Sequence, residues 1–334
     1  MIRPRHVRMA ARFVAHRFRE LHPYEVQAVL LNACNLRCTY CTCPDVRTTV
    51  LTTAQWLDVV RRLGSHGTIR IKFQGGEPTL RSDFREICAE SQRSGMLTAA
   101  VTNGLEIPRH PELLDHLNEI VFSLDSVTPG PHERIRGQGT HAKVVEAIDV
   151  ARRRNVRIFV NMVVTAESFP ELEAMLDFCE ERGIGLHAQP VVFGRKYYSE
   201  AAKPFALGAE QIRDMHRRLA AWKAQGRKLM FAATTYARVA DWADYGELTT
   251  RSSGPSSCMA GKFYVQIEAN GDVIPCAQYE ADYTPKNVAR DGLEEALRHA
   301  KRHDCGDCFT AYLNERKALF SLRPSALLEV ARRG

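Results

Sequence analysis

The sequence predicts an α/β protein: a partial (β/α)6 barrel followed by a small C-terminal α+β module. Three observations predict it. Short β-rich runs alternate with amphipathic helical runs through six units, the pattern of consecutive βα units on a parallel sheet. The alternation stops after about residue 195. Beyond that point Asn270-Gly271, between two apolar runs, signals a tight two-residue hairpin.

Strands are expected near 26–32, 69–73, 97–101, 120–124, 157–164 and 185–190. Helical patterns lie between them near 53–65, 82–94, 111–117, 141–154 and 169–182, and another follows the last strand near 209–225. Six units are too few for a closed eight-stranded barrel, so one side is expected to stay open and to admit a large substrate. Helical connections run from Leu207 to Tyr245, and the Ser/Gly/Pro-rich stretch Thr249 to Ser257 reads as a linker. Phe263 to Glu268 and Asp272 to Ile274 form the hairpin arms, and a helix near 291–301 completes the module. The domain division expected is a basic N-terminal helix over 1–23, the barrel over 24–195, a helical connection and linker over 196–257, and the C-terminal module over 258–334.

A chain of 334 residues with 45% hydrophobic and 25% charged residues can build a sizeable core, which excludes a disordered protein. No apolar stretch approaches the ~20 residues that span a bilayer, and no secretory signal is present, so a cytoplasmic protein is expected. The net charge of +7 is concentrated at the start, in Arg3, Arg5, Arg8, Arg12, Arg17 and Arg19. Val7, Ala10, Val14, Phe18 and Leu21 recur there at helical spacing. Such a helix can touch an anionic membrane surface, or it can close the barrel's end with a solvated arginine face; the second reading is favoured. The chain has no phosphate-binding glycine loop, hydrolase triad or nucleic-acid-reading module.

The ten cysteines group as metal ligands rather than as a disulfide framework. Cys34, Cys38 and Cys41 stand in CNLRCTYC directly after the first apolar run. Three soft thiolates with no nearby histidine suit a 4Fe–4S cluster with one iron left open. Cys258, Cys276, Cys305 and Cys308 make a second, four-thiolate set around the hairpin, which by spacing alone suits zinc and iron–sulfur equally. Cys43 has no catalytic role assigned, and Cys88 and Cys179 occupy apolar helix positions where cysteine acts as a small hydrophobe.

CxxxCxxC with Tyr40 before the last cysteine, followed in order by Gly75-Gly76-Glu77-Pro78, Thr102-Asn103-Gly104 and Ser123-Leu124-Asp125, resembles the radical S-adenosylmethionine superfamily. The framework of the resemblance covers roughly residues 24 to 190. The four downstream cysteines are similar to the twitch form of the SPASM extension, which tips the second site toward one auxiliary 4Fe–4S cluster. The resemblance implies that S-adenosylmethionine binds the open iron and that its reductive cleavage yields a 5′-deoxyadenosyl radical. It further implies cofactor contacts from Tyr40, Gly75, Gly76, Glu77, Thr102, Asn103, Ser123 and Asp125. In physical terms the paired glycines permit a close backbone approach and Glu77 can accept from an ammonium group. Arg134 and Arg136 could meet a carboxylate or line a solvated loop, and Arg134 is the one taken as a cofactor contact. Asn161 is added from the fifth strand. Gln189 points the same way, His187 reads as a satisfied core or rim residue, and Phe193, Lys196, Tyr197 and Tyr198 could line the substrate cavity.

The expected reaction is an oxidation of a small metabolite or lipid, with the auxiliary cluster accepting an electron and a flavodoxin- or ferredoxin-type donor supplying the first one. Alternatives are a peptide-modifying maturase, a redox-neutral epimerase, and a non-catalytic iron–sulfur or zinc protein. The run of nucleoside-contacting motifs argues against the last. The peptide reading is lowered because the first strand starts by about residue 26, leaving little room for a peptide-recognition domain. No nucleic acid partner is expected, and no general acid or base is assigned.

Overall fold

The computed structural model describes residues 23–193, 197–251, 258–279 and 283–321. The basic segment 1–20 and Lys196 lie outside the described residues. The barrel elements follow as β1 (Glu25–Val29), α1 (Thr53–Ser65), β2 (Arg70–Gln74), α2 (Phe84–Arg93), β3 (Leu97–Thr102), β4 (Glu119–Ser123), α3 (Pro129–Arg136), α4 (Thr140–Arg152), β5 (Arg157–Val164), α5 (Leu172–Glu181) and β6 (Gly185–Pro190). Next come α6 (Ala209–Ala224), α7 (Ala233–Ala240), β7 (Thr249–Arg251), β8 (Tyr264–Ile267), β9 (Asp272–Ile274), β10 (Lys286–Asn287), α8 (Leu293–Ala300), β11 (Cys305–Cys308) and α9 (Ala311–Phe320).

Local chemistry sets the element ends. At the start of α1, Thr52 Oγ1 accepts from Gln55 N at 3.3 Å and Gln55 Oε1 accepts from Thr52 N at 2.8 Å, a reciprocal cap. The helix then buries Trp56, Val59, Val60 and Leu63 against the sheet. Near 111–117 only a 3-10 turn, Pro111–Leu114, forms, and His116 at φ 65° turns the chain into β4. Pro129 opens an unexpected helix, α3, in the segment that includes Arg134 and Arg136; proline at the first helical position has its φ preset and no N–H to waste.

The sheet order is β10-β9-β8-β1-β2-β3-β4-β5-β6, an open barrel. The pairs from β1 through β6 are all parallel. The C-terminal hairpin does not stand apart from the barrel: β8 pairs in parallel with β1, from Glu25 opposite Tyr264 to Ala28 opposite Ile267. It covers the backbone edge that β1 would otherwise present to water. The stretch taken as a linker begins with a strand, since Thr249–Arg251 pairs antiparallel with Cys305–Cys308. Its Ser/Gly/Pro residues 252–257 fall outside the described residues.

Because successive strand residues face opposite sides, Val26, Ala28, Ile71, Phe73, Ile120 and Phe122 enter the apolar core under the helices. Their neighbours Glu25, Gln27, Arg70 and Lys72 occupy the opposite, inner face. Glu25 is buried there. Arg316 of α9 donates to its Oε2 from Nε at 3.0 Å and Nη2 at 2.8 Å, and Tyr312 donates its hydroxyl to Oε1. Arg70 pairs with Glu119 and lies 3.9 Å from Glu25. Helix α9 therefore closes the inner face with a charge-assisted fork.

Burial opposes ionisation of Glu25, but Arg316 and Arg70 override it and hold the carboxyl down at about 2. A depressed pKa contributes stability that is present above the unfolded value and lost as pH falls through the folded one. The stability difference between wild type and Glu25→Gln, about 3 kcal/mol near pH 7, is expected to shrink between pH 4.5 and about 2. Urea midpoints measured across that range check it.

Candidate functional site

The loop after β1 carries Cys34, Cys38 and Cys41, and protein on three sides shapes it. Gly76 N donates to Leu31 O at 2.8 Å and Glu77 N to Ala33 O at 2.9 Å. A Cβ on Gly75 would stand 2.2 Å from Leu31 O, and one on Gly76 2.1 Å from Ala33 O. These glycines admit the backbone of the cysteine loop at close quarters. Thr39 N donates to Ile135 O at 2.9 Å, and Ser199 N to Tyr40 O at 3.0 Å. Tyr198 forms a β-bridge with Cys41.

Glu77 is buried and braces the tip of β3. Its Oε1 accepts from Thr79 N, Thr79 Oγ1 and Thr102 Oγ1, at 3.1, 2.6 and 2.8 Å, and its Oε2 accepts from Asn103 N at 2.7 Å. One acceptor position on Oε2 remains for a further donor. Thr102 is committed to Glu77 and to Gly104 N. Asn103 turns its Nδ2 toward Cys34 Sγ at 3.8 Å and donates to Asn35 Oδ1 at 2.7 Å, so it touches the cysteine loop.

Asp125, at the tip of β4, accepts from Arg136 Nε at 2.6 Å, Arg136 Nη2 at 3.1 Å, Val163 N at 3.0 Å and Tyr40 OH at 3.2 Å. The Arg136 guanidinium sits 5.4 Å from the Tyr40 ring centroid. This positive charge acts on Cys38 and Cys41, against the carboxylates of Asp125 and Asp45. Burial pushes Cys38 up to about 11, and Arg136 opposes that rise. Burial also raises Cys34 and Cys41. Arg134 does not join the site: its side chain is exposed and pairs with Glu167, with Nε 2.8 Å from Oε2. Helical spacing explains the exchange, because His132 and Arg136, four apart on α3, turn toward Asp125 while Arg134 points away. Reading Thr128-Pro129 as a helix start would have found Arg136.

Ser123 and Asn161 stand opposite each other on β4 and β5, and Asn161 stands opposite His187 on β6. Asn161 Oδ1 and His187 Nε2 are buried with no hydrogen-bond partner. His187 is therefore not the satisfied residue expected, and burial pushes its pKa down to about 3. Tyr40, Gln189, Tyr198, His216, Gln278 and Thr310 line a cleft between the first cysteine loop and the C-terminal module. Phe193 packs beside it, while Tyr197 donates to Glu268.

Cys258, Cys276, Cys305 and Cys308 are buried together with Tyr264 and Leu313. His303 Nε2 lies 2.7 Å from Ala260 O and ties the CGDC turn to the start of the module. Cys258 and Cys305 share a hydrogen bond that lowers the first thiol and raises the second. All ten cysteines are thiols rather than disulfides. Cys88 and Cys179 are fully buried in the barrel core, and Cys43 is buried near Asn32. Among the described residues no group of His, Cys, Asp and Glu converges as the ligands of a single ion do. In donor chemistry, sets of three and four soft thiols suit iron–sulfur clusters.

Residues 29–179 match the radical SAM superfamily, and residues 258–319 match SPASM, an iron–sulfur cluster-binding domain. The chain belongs to the radical SAM superfamily and carries a SPASM domain, and 4Fe–4S clusters and S-adenosylmethionine are the cofactors of that class. It is 28% identical over 289 residues to the PqqA peptide cyclase of Gluconobacter oxydans, covering 82% of this chain and 76% of that protein. It is 29% identical over 204 residues to the GTP 3',8-cyclase of Marinobacter nauticus, covering 58% and 61%. In fold it is similar to Streptococcus suis SuiB bound to S-adenosylmethionine, with a TM-score of 0.63, 19% identity, and coverage of 94% of this chain and 78% of that one.

Replacing Asp125 by Asn leaves Arg136 buried without its counter-charge. The expected cost is about 3 to 5 kcal/mol, read as a lowered guanidinium midpoint, with less than 1 kcal/mol for removal of the exposed Arg134–Glu167 pair.

Proposed function

We propose that this chain is a radical SAM enzyme that modifies a peptide. Cys34, Cys38 and Cys41 are assigned to the S-adenosylmethionine-binding 4Fe–4S cluster, and Cys258, Cys276, Cys305 and Cys308 to one auxiliary cluster. When bound, these groups and S-adenosylmethionine supply an electron and the 5′-deoxyadenosyl radical that removes a substrate hydrogen. The observation that carries the peptide reading is the extent of the likeness to the PqqA peptide cyclase. It spans 82% of the chain, whereas the likeness to the GTP cyclase spans 58%. The small-metabolite or lipid substrate expected at first gives way on that ground. The lipid option rested on residues 1–20, which lie outside the described residues. Among the described residues no helix is long and apolar enough to cross a membrane.

The roles of the protein groups follow from their surroundings. Arg136 holds a fixed positive charge beside Cys38 and Cys41 and favours their ionised form, which ligation needs. Asn103 and Glu77 are assigned to orient the cofactor's polar end, since Asn103 touches the cysteine loop and Glu77 keeps an acceptor position. Ser123 and Asn161 are assigned to the nucleoside side, where Asn161 Oδ1 has no protein donor. In the cleft, Gln278 Nε2 donates to Tyr198 at 3.1 Å, and its Oε1 is buried without a partner. A peptide N–H would satisfy that oxygen. Oxidation remains the reaction outcome proposed, since a fully ligated second cluster can take up an electron but offers no open iron to substrate.

With dithionite and S-adenosylmethionine under anaerobic conditions, the reconstituted wild type is expected to form 5′-deoxyadenosine and Cys38→Ala none, by chromatography. A pool of synthetic peptides is expected to raise that yield and to acquire mass losses of 2 Da, seen by mass spectrometry. Stimulation by a small-metabolite pool alone would return the account to the metabolite reading.

A further inference from the structure

Among the described residues Arg70, Lys72 and Arg316 meet at the inner face of the barrel, and they differ in what neutralises them. Arg316 is paired with Glu25, and Arg70 with Glu119. Lys72 on β2 has neither an ion pair nor a side-chain hydrogen bond among the described residues, and its Nζ stands 4.0 Å from the centroid of the Tyr312 ring. The nearby Glu25 carboxylate already receives both Arg316 nitrogens and the Tyr312 hydroxyl. Lys72 is 9% exposed and His187 8%. A buried ammonium without a carboxylate is costly unless something else pairs with it. Burial, joined by Arg70 and Arg316 and opposed by Glu25, pushes Lys72 down to about 7, and Lys72 in turn acts on His187 across the barrel.

His187 stands two residues below Gln189 on the same face of β6, and Gln189 lines the cleft between the two cysteine sets. The orphaned Nε2 of His187 and the Lys72 ammonium across the barrel are two inner-face groups with no acceptor among the described residues, on the barrel side of the cleft-lining Gln189. We propose that Lys72 and His187 receive a carboxylate of the substrate on the inner face of the barrel. The inference rests on the peptide reading and narrows it: the peptide presents either an acidic side chain or its terminal carboxylate to the bottom of the barrel. A carboxylate there gives Lys72 its missing counter-charge, accepts from the His187 N–H, and fixes how deep the substrate sits below the first cysteine loop.

The test uses the full chain reconstituted with iron and sulfide, and calorimetric titration with three probes. N-acetylglutamate α-amide offers a side-chain carboxylate, N-acetylglycine a terminal one, and N-acetylglutamine α-amide is the neutral counterpart. Wild type is expected to bind at least one carboxylate probe about tenfold or more tightly than does Lys72→Met. Lys72→Arg should retain the binding, the neutral probe should not share it, and the tighter of the two carboxylates names the source. Iron content and circular dichroism are matched across the variants. Without probe, Lys72→Met is expected to melt at or above the wild-type temperature, because the lysine it removes has no ion-pair partner among the described residues.

Failure of the wild type to bind either carboxylate overturns the proposal, as does equal binding by Lys72→Met. A lowered melting temperature for Lys72→Met also overturns it, since Lys72 would then serve the fold. Carboxylate binding that depends on Lys72 without any peptide modification leaves this inference standing and removes the peptide reading; peptide modification indifferent to Lys72→Met does the reverse.

Discussion

The ion pair between Glu25 and Arg316 is the constraint on which the rest of the architecture depends. It joins the first residue of the first strand to the last described helix, across 291 positions of sequence, with both side chains nearly excluded from water. A lone carboxylate buried in the barrel would be too costly to leave ionised, so the barrel needs α9 as much as α9 needs the barrel. Helix α9 follows β11 after two residues, and Asn314 Nδ2 bonds back to Cys308 O at 2.5 Å. The same pair that closes the barrel therefore sets where the CGDC turn stands relative to the first cysteine loop. The parallel pairing of β8 with β1 fixes the other half of the module, with Cys276 just beyond β9.

A second buried pair performs the equivalent task at the opposite end of the strands. Asp125 and Arg136 lock the tip of β4 to α3 and to Tyr40, and through Tyr40 to the cysteine loop. The guanidinium this holds in place faces thiols that burial alone would keep protonated. Both cysteine sets are thus presented by rigid, charge-neutralised frames rather than by the loops that carry them, as a cluster site needs if its ligands are to be placed before metal arrives. Between the frames lies the cleft lined by Tyr40, Tyr198, Gln278 and Thr310.

Much of the barrel was legible because its strands are short, apolar on one face and punctuated by helix caps; β5 and β6 fall on the residues that alternation predicts. The cysteine sets were legible from spacing. What could not be read are features that depend on distant partners or on a misassigned local element. The alternation in Glu25-Val26-Gln27 and Arg70-Ile71-Lys72 signals a polar inner face, but nothing local says that Arg316 and Tyr312 complete it. Arg134 and Arg136 are equivalent candidates in a segment with no helical pattern assigned, and the helix that forms there rotates the two apart. Thr249–Arg251 was hidden by the Ser/Gly/Pro composition that follows it. His187 reads as inert in the sequence because the cysteine sets already account for the metals, and the missing partner of its Nε2 is visible only in three dimensions.

The central claim is that one continuous frame holds two separate clusters on two separate thiol sets. Iron and acid-labile sulfide, counted after anaerobic reconstitution of the wild type and of the Cys34→Ala, Cys38→Ala, Cys41→Ala triple variant, test it most directly. About eight irons are expected in the wild type, falling to about four in the variant. About four falling to none, with zinc retained in the C-terminal module, would contradict it.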